Sequence, residues 1–118
     1  MRKPTATYDA FDVVVVPFPF TDRAASKRRP ALVVSPDSAF NRPSGHAVLA
    51  MITSQEHPLW PLDIPLTDLG SAGLTIRSLV RMKLFTVDQR LILRKAGKLS
   101  ERDRGSVSRA LSRLVPRT

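Results

Sequence analysis

The side chains best suited to chemistry in this sequence are cations and hydroxyls at the ends of apolar runs. Lys27, Arg28 and Arg29 stand directly before a proline and the apolar run ALVV. A residue that precedes proline is held in extended backbone, so the Arg29 guanidinium should project from the start of a strand. A guanidinium binds phosphate through paired hydrogen bonds and can stabilise negative charge that develops on a reacting phosphate. The alternative is a salt bridge at the strand end, to Asp12 or Asp22.

Two further groups have the same character. Thr53 and Ser54 close the apolar run HAVLAMI, and Arg81 and Lys83 are two residues apart in SLVRMKLF. Residues two apart share one face of a strand, and two cations on one face are costly without an anion, which a phosphate would supply. The other face of this strand, toward the core, should carry Val80, Met82 and Leu84.

Other kinds of chemistry have little support. The chain has no cysteine, which excludes disulfides and thiolate metal sites, and its two histidines, His46 and His57, match no zinc spacing. It has no glycine-rich phosphate loop and no G-x-S-x-G motif for a serine nucleophile. No metal and no cofactor is therefore predicted, and His46 is interpreted as structural.

The charge distribution favours a polyanionic partner. The 118 residues carry a formal net charge of +9, and residues 74–98 hold seven cations against one anion. Cations clustered in this way are typical of proteins that bind nucleic acid. The alternative is a generally basic composition that places arginine on every surface.

The apolar runs predict strands that would position these groups. Short, β-branched runs that are apolar on both faces indicate buried strands. The predicted strands are residues 12–18, 30–35, 46–53, 60–66 and 79–85, with residues 91–94 as a further candidate. Residues 60–66 read WPLDIPL, an alternating pattern with Trp60, Leu62, Ile64 and Leu66 on one face, and the two prolines on the other face indicate an edge strand.

The C-terminal segment changes to helical spacing. Ser100 is a suitable N-cap, Asp103 follows three residues later, and a proline at position 116 ends the pattern. The apolar positions of this helix are Val107, Ala110, Leu111 and Leu114. We therefore predict a mainly β, α+β fold: one domain over residues 1–118, an antiparallel barrel or curled sheet closed by a C-terminal helix, with residues 1–10 as a flexible arm. The longest apolar run, residues 13–20, is too short for a membrane span, and no signal peptide is recognisable, so a soluble cytoplasmic protein is expected.

The sequence resembles the MazF/PemK family of toxins, from type II toxin–antitoxin pairs, in four motifs and their order: FDVVVVPFPFTD, KRRPALVVS, AMITS and SLVRMKLFTVDQRLILRKAGKLS. The resemblance covers residues 12–114 and implies an SH3-like barrel of the CcdB/MazF type and a homodimer. It also implies a metal-independent, sequence-specific endoribonuclease that inhibits translation and growth. Such an enzyme cuts single-stranded mRNA with the ribose 2′-hydroxyl as nucleophile, leaving 2′,3′-cyclic phosphate and 5′-hydroxyl ends. Besides RNA, the implied partner is an antitoxin whose extended C-terminal segment covers the RNA groove.

The resemblance assigns catalytic roles by position to Arg29, Thr53 and Arg81. One departure concerns the PemK/Kid branch, in which a carboxylate two residues after the last arginine is proposed as general base, because here that residue is Lys83. The predicted substrate contacts are Lys27, Arg28, Ser54, Gln55, His57, Lys83 and Phe20.

The general acid and base stay open at this level. Arg29 and Arg81 are suited to stabilising a dianionic phosphorane, and Thr53 could donate a hydrogen bond to it. Lys83 and His57 are candidate bases, and the family implies an arginine in that role.

Two rival functions also stay open. One is a non-catalytic inhibitor of the same fold, such as the gyrase poison CcdB. The other is an RNA-binding module that has lost its activity. The cleavage motif depends on the loops at residues 21–27 and 55–59, whose conformations the sequence does not determine.

Overall fold

A single curled antiparallel sheet, a half-barrel, forms the body of the protein. The computed structural model describes residues 7–19, 27–56 and 59–116. In this part of the chain the sheet has six strands in the order β4-β5-β3-β2-β1-β6. They are β1 (Asp12–Phe18), β2 (Lys27–Val33), β3 (His46–Ser54), β4 (Ile64–Pro65), β5 (Ser78–Asp88) and β6 (Arg94–Lys98). The predicted fold, mainly β with a C-terminal helix, is confirmed.

Helical segments connect the strands. A π-helical turn, Asp37–Asn41, leads into the short helix α1 (Arg42–Ser44), and α2 (Leu69–Ala72) lies between β4 and β5. A 3-10 turn, Gln89–Leu91, precedes β6, and α3 (Glu101–Leu114) ends the fold. Within the described residues no helix is long and apolar enough to cross a membrane.

The sheet has an apolar layer on each face, which explains why β1 reads as an unbroken valine run rather than an alternating one. The layer that α3 covers, called here the helix-side layer, includes Val13, Leu32, Ala50, Ile52, Val80, Val107 and Ala110. The layer on the opposite face includes Val14, Val16, Ala31, Val33, Leu49 and Met51.

The cap of α3 forms as predicted, and its residue Asp103 also joins the helix to the segment that follows β4. The Ser100 hydroxyl accepts a hydrogen bond from the Asp103 backbone N–H. The Asp103 carboxylate, in a residue only 1% exposed, accepts hydrogen bonds from Thr67 N at 3.1 Å and Oγ1 at 2.8 Å and from Asp68 N at 3.1 Å. Burial by itself would raise the pKa of Asp103, but these hydrogen bonds outweigh it and hold the pKa below its usual value.

The predicted strand over residues 60–66 is wrong in its length. Only Ile64 and Pro65 pair with β5, although β4 is an edge strand as expected. Trp60 begins a turn in which its backbone N–H donates to the Asp63 carboxylate at 2.7 Å and Leu62 takes a φ of +67°. Pro61 and Pro65 lack the backbone N–H groups that a longer ladder would need as donors.

Leu84 is on the predicted face of β5, but the prediction that it is buried in the core is wrong. Ala50 pairs with Leu84 and Met51 pairs with Arg81, so a bulge leaves Met82 and Lys83 opposite no single partner. Two extra residues preserve the alternation of faces, and Leu84 therefore shares the face of Ala50 although it is 38% exposed. The candidate strand at residues 91–94 is wrong, since β6 begins at Arg94.

Residues 7–10 and α2 are both held against the sheet. Within the predicted flexible arm, of which residues 1–6 lie outside the described residues, the Tyr8 backbone N–H donates to the Gln89 side chain at 3.0 Å. The Ser71 hydroxyl of α2 donates to the Lys98 carbonyl at 2.8 Å. The chain between β4 and β5 therefore lies against β6, which draws the two edges of the curled sheet toward each other.

Candidate functional site

A cavity of about 390 Å³ lies at one end of the half-barrel, where several strands begin or end. The start of β2 contributes Arg28 and Arg29, the end of β3 contributes Thr53 and Ser54, and the start of β6 contributes Arg94. Residues 73–76, between α2 and β5, form a further wall. None of the described residues that line the cavity is acidic.

Strand pairing explains why these distant residues meet. Val15 of β1 pairs with Pro30 on one side and with Arg94 on the other. The beginnings of β2 and β6 therefore flank the same point of β1. In the sequence, Arg94 stands out only as part of a basic region, because its position at the cavity depends on the pairing of β1 with β6.

Arg29 and Thr53 both line the cavity, and strand pairing relates their faces. Ala31 of β2 pairs with Met51 of β3, and Arg29 and Thr53 lie two residues beyond this last pair. Met51 also pairs with Arg81 of β5. Because residues two apart share a face, Arg29, Thr53 and Arg81 belong to the same face of three neighbouring strands.

The arginines of the cavity are available to an anion. Arg28, Arg29 and Arg94 are exposed, and none of them takes part in an ion pair with another described residue. Asp12, the alternative partner of Arg29, instead pairs with Lys95 at 3.1 Å, and Asp22 lies outside the described residues. Fixed cations without a carboxylate nearby produce a positive potential that attracts a phosphate.

Arg81 is placed differently. It lies outside the cavity lining, and its Nε and Nη2 donate to the Asp63 carboxylate at 3.2 and 2.9 Å. The Arg81 and Asp63 side chains are only 11% and 3% exposed. The expectation that a phosphate supplies the anion for Arg81 is therefore corrected, because the chain itself supplies that anion from the turn before β4.

This pairing changes the acidity of both groups. Burial by itself would raise the pKa of Asp63, but hydrogen bonds from Arg81 and from the Trp60 N–H lower it below its usual value. The hydrogen bond to Asp63 in turn raises the pKa of Arg81. Asp63 is thus a carboxylate held ionised beside a predicted catalytic arginine.

Trp60 completes this second group of residues. Trp60 is 44% exposed, and its ring centroid lies 5.2 Å from the Arg81 guanidinium carbon and 5.6 Å from the Lys83 ammonium nitrogen. Trp60 and Asp63 are not among the functional candidates predicted from the sequence, because both fall in a segment predicted to be a strand. An aromatic and a carboxylate three residues apart in a proline-flanked segment were the available signal.

Comparison with known proteins decides the family. The family model of the PemK-like, MazF-like toxins of type II toxin–antitoxin systems matches residues 9–115. This chain belongs to that family. The predicted resemblance to the MazF/PemK family is therefore confirmed over nearly the whole sequence. A separate comparison with curated proteins finds no match.

Solved structures of toxins share the fold. MazF from Deinococcus radiodurans matches with a TM-score of 0.70 and 23% identity, over 93% of this chain and 97% of that one. A MazE–MazF structure (Form-II) from the same organism matches at 0.72 and 22%, over 97% and 100%. An endoribonuclease in complex with its cognate antitoxin, from a mycobacterial species, matches at 0.73 and 17%, over 94% and 99%. At these identities the likeness shows the fold, and the CcdB/MazF type of architecture predicted from the sequence is confirmed.

The remaining predicted contacts of this MazF/PemK toxin are spread around the same end of the sheet. Lys27 is exposed at the start of β2, and the Gln55 amide donates to the Ser78 carbonyl at 3.2 Å, which joins the ends of β3 and β5. Phe20 and His57 lie outside the described residues. The described residues hold no group of three or more His, Asp or Glu side chains placed to bind a metal ion.

Proposed function

We propose that this toxin is a metal-independent, sequence-specific endoribonuclease that cuts single-stranded mRNA to 2′,3′-cyclic phosphate and 5′-hydroxyl ends. One observation carries the proposal: three arginines without carboxylate partners among the described residues line a cavity that is also lined by Thr53 and Ser54. Membership of the family supports it, as does the mycobacterial endoribonuclease of the same fold.

The proposed reaction is an internal transfer at phosphorus. The ribose 2′-oxygen loses its proton and forms a bond to the neighbouring phosphorus, and the bond from phosphorus to the 5′-oxygen breaks as that oxygen takes up a proton. Two negative charges develop on the non-bridging oxygens between these events. Arg29 and Thr53 both line the cavity, and the guanidinium and the hydroxyl would donate hydrogen bonds to those oxygens and stabilise that charge.

Arg81 has a narrower role in this proposal. It shares the sheet face of Arg29 and Thr53, but Asp63 fixes its guanidinium through two hydrogen bonds. A guanidinium held in this way can act on a phosphate only in one orientation, so we place it as a fixed electrostatic contact. Lys83 and His57 stay the candidate bases, and Lys83 is exposed beside Trp60.

The proposed partners follow from the same comparison. Solved relatives include toxin–antitoxin complexes, so we propose a cognate antitoxin that blocks the RNA site of this toxin, and a homodimer as the active form. A toxin that cuts mRNA would act in the cytoplasm, where it would inhibit translation and growth.

The test is incubation of the folded, antitoxin-free toxin with a long mixed-sequence single-stranded RNA in EDTA, followed by mapping of both new ends. We expect discrete cuts with 5′-hydroxyl and 2′,3′-cyclic phosphate ends. Intact RNA would contradict the proposal. A DNA gyrase supercoiling assay and an RNA-binding assay on the same sample would then separate a gyrase poison from a binding module.

A further inference from the structure

We infer that the cavity contains a nucleobase subsite that holds a guanine next to the scissile phosphate, with Arg94 as the residue that selects it. The inference rests on the proposed function for its substrate class, since it assigns part of the cavity to a base of the RNA. It concerns residues that the family resemblance did not single out.

The cavity has two sides with different chemistry. Arg29 and Thr53 belong to the face opposite the helix-side layer. Arg94 pairs with Val15, so it lies on the other face, that of the helix-side layer. Residues of both faces line the cavity, namely Arg29 and Thr53 on one and Val15 and Arg94 on the other. The cavity therefore lies where the two faces meet at the strand ends. A phosphate bound by Arg29 and Thr53 would leave the side that contains Arg94 to the adjoining nucleoside.

The walls on the Arg94 side are apolar. Ile52, Leu74 and Ala96 line the cavity and also belong to or pack against the helix-side layer. Ile76 lies at the cavity as well and is 66% exposed. A phosphate gains no favourable contact from apolar walls, whereas a flat base buries apolar surface against them. The cavity volume of about 390 Å³ is in the range of ligand sites, roughly 300–1,000 Å³.

The polar residues on this side of the cavity select among the bases. They are Arg94, Thr75 and Ser78, together with Arg28 and Ser54 at the strand ends, and no described lining residue is acidic. A guanidinium donates two parallel hydrogen bonds to the O6 and N7 acceptors of guanine. Adenine presents an amino donor beside N7, which would face the guanidinium without a partner, so guanine is the base that fits.

The wall formed by residues 73–76 is held in place before any ligand binds. Gly73 has a φ of +73°, and a Cβ there would lie 2.1 Å from the Ala96 carbonyl oxygen. The loop thus touches β6 at the residue two places after Arg94. Because the wall is preformed, little conformational entropy is lost when a base binds, which a specificity subsite requires.

Binding of short non-cleavable RNA tests the inference. The probe is a 2′-O-methyl pentamer, UUGUU, with two versions in which adenine or 7-deazaguanine replaces the central guanine. We expect the guanine probe to bind the wild-type toxin about tenfold more tightly than the adenine probe, with 7-deazaguanine also weakened because N7 is missing. Arg94→Ala should remove this preference, whereas Arg102→Ala on the exposed face of α3 should keep it.

Two further measurements make the outcome decisive. Arg29→Ala should weaken all three probes alike, since it would remove a phosphate contact rather than a base contact. Equal binding of the three probes by the folded wild-type toxin, or a guanine preference that survives in Arg94→Ala, would overturn the inference. RNA cleavage without guanine at the cut site would overturn it and leave the nuclease proposal intact. Guanine-selective binding that depends on Arg94, in a toxin that cleaves no RNA, would support the inference and contradict the nuclease proposal.

Discussion

At the scale of single residues, Arg29 is the side chain whose removal tests the proposed chemistry most directly. It is exposed and has no ion pair with a described residue, so its loss should leave the fold unchanged. Loss of one fixed donor to a transition-state oxygen lowers rates by about 100-fold to 1,000-fold. We therefore expect Arg29→Ala to reduce RNA cleavage by at least about 100-fold at an unchanged Tm. Arg102→Ala is the control, and near-normal cleavage by Arg29→Ala would remove Arg29 from the catalytic site.

Asp63 is the residue that the fold adds to the predicted site. Its carboxylate is buried against Arg81, and removing one partner of a buried pair leaves the other charge without compensation. We expect Asp63→Ala to lower the Tm clearly. Arg42→Ala, which breaks the Asp37 ion pair of an arginine side chain that is 70% exposed, should leave the Tm almost unchanged. Thermal unfolding followed by circular dichroism compares them, and equal effects would show that the Arg81–Asp63 pair is no more important than a surface contact.

Replacing both residues of the Arg81–Asp63 pair tests whether the role of Arg81 is structural or catalytic. The double variant Asp63→Leu with Arg81→Met replaces the buried ion pair by apolar side chains, a change that often preserves stability. If Arg81 acts on the phosphate, this variant folds but loses cleavage. A folded double variant with normal cleavage would make Arg81 a structural residue.

At the scale of elements, Asp103 is the connection between α3 and the segment that follows β4. Its pKa is lower in the folded protein than the ordinary value of 3.8. A carboxyl of this kind stabilises the fold above its unfolded pKa, and that stability is lost as the pH falls through the folded pKa. The pKa of Asp63 is also lowered, because its hydrogen bonds outweigh the effect of its burial. Asp63 therefore likewise stabilises the fold above its unfolded pKa.

We therefore expect the free energy of unfolding to decrease as the pH falls toward and below 3.8. Asp103→Asn should lower stability at pH 7, because an amide cannot accept all the hydrogen bonds from Thr67 and Asp68. The difference between wild type and variant should shrink in acid, when Asp103 itself becomes protonated. Urea unfolding at several pH values measures this, and a difference independent of pH would show that the charge of Asp103 is not the cause.

The contact of the 73–76 loop with β6 depends on two features of Gly73, its positive φ and its missing Cβ. Gly45 has a similar φ of +72°, but a Cβ there would meet nothing within 4 Å. Gly45→Ala should cost only the backbone strain, about 1–2 kcal/mol. Gly73→Ala carries the same strain and a clash with the Ala96 carbonyl, so it should be clearly less stable and should also weaken RNA binding at the cavity. Chemical denaturation of both variants tests this, and equal losses of stability would show that the close approach contributes nothing.

At the scale of the whole molecule, the charge of +9 matters through its distribution. Binding of single-stranded RNA by exposed arginines releases counterions, and the logarithm of the binding constant falls with the logarithm of salt concentration by about 0.7 per phosphate contact. We expect Arg29→Ala to reduce the magnitude of this slope by about 0.7. Arg102→Ala should not change it. Fluorescence anisotropy across a salt series gives the slopes, and an unchanged slope in Arg29→Ala would mean that Arg29 contacts no phosphate.

The elements that the sequence predicted well are those that local preferences determine. The valine run of β1 could be assigned because a strand buried on both faces needs only β-branched apolar residues. The helix α3 followed from its 3.6-residue spacing and from Ser100, whose hydroxyl competes for the first backbone N–H groups. Arg29 and Thr53 could be singled out because a proline and a strand end fix their local positions.

Only the tertiary structure decided which of these residues meet. The register between strands places Arg29 and Thr53 on one face of neighbouring strands, and Val15 pairs with both neighbouring strands, which places Arg94 at the cavity. The turn at Trp60 delivers Asp63 to Arg81, a partner 18 residues away in the sequence. Such pairings depend on hydrogen-bond register and on a bulge in β5, which residue type and local spacing do not determine.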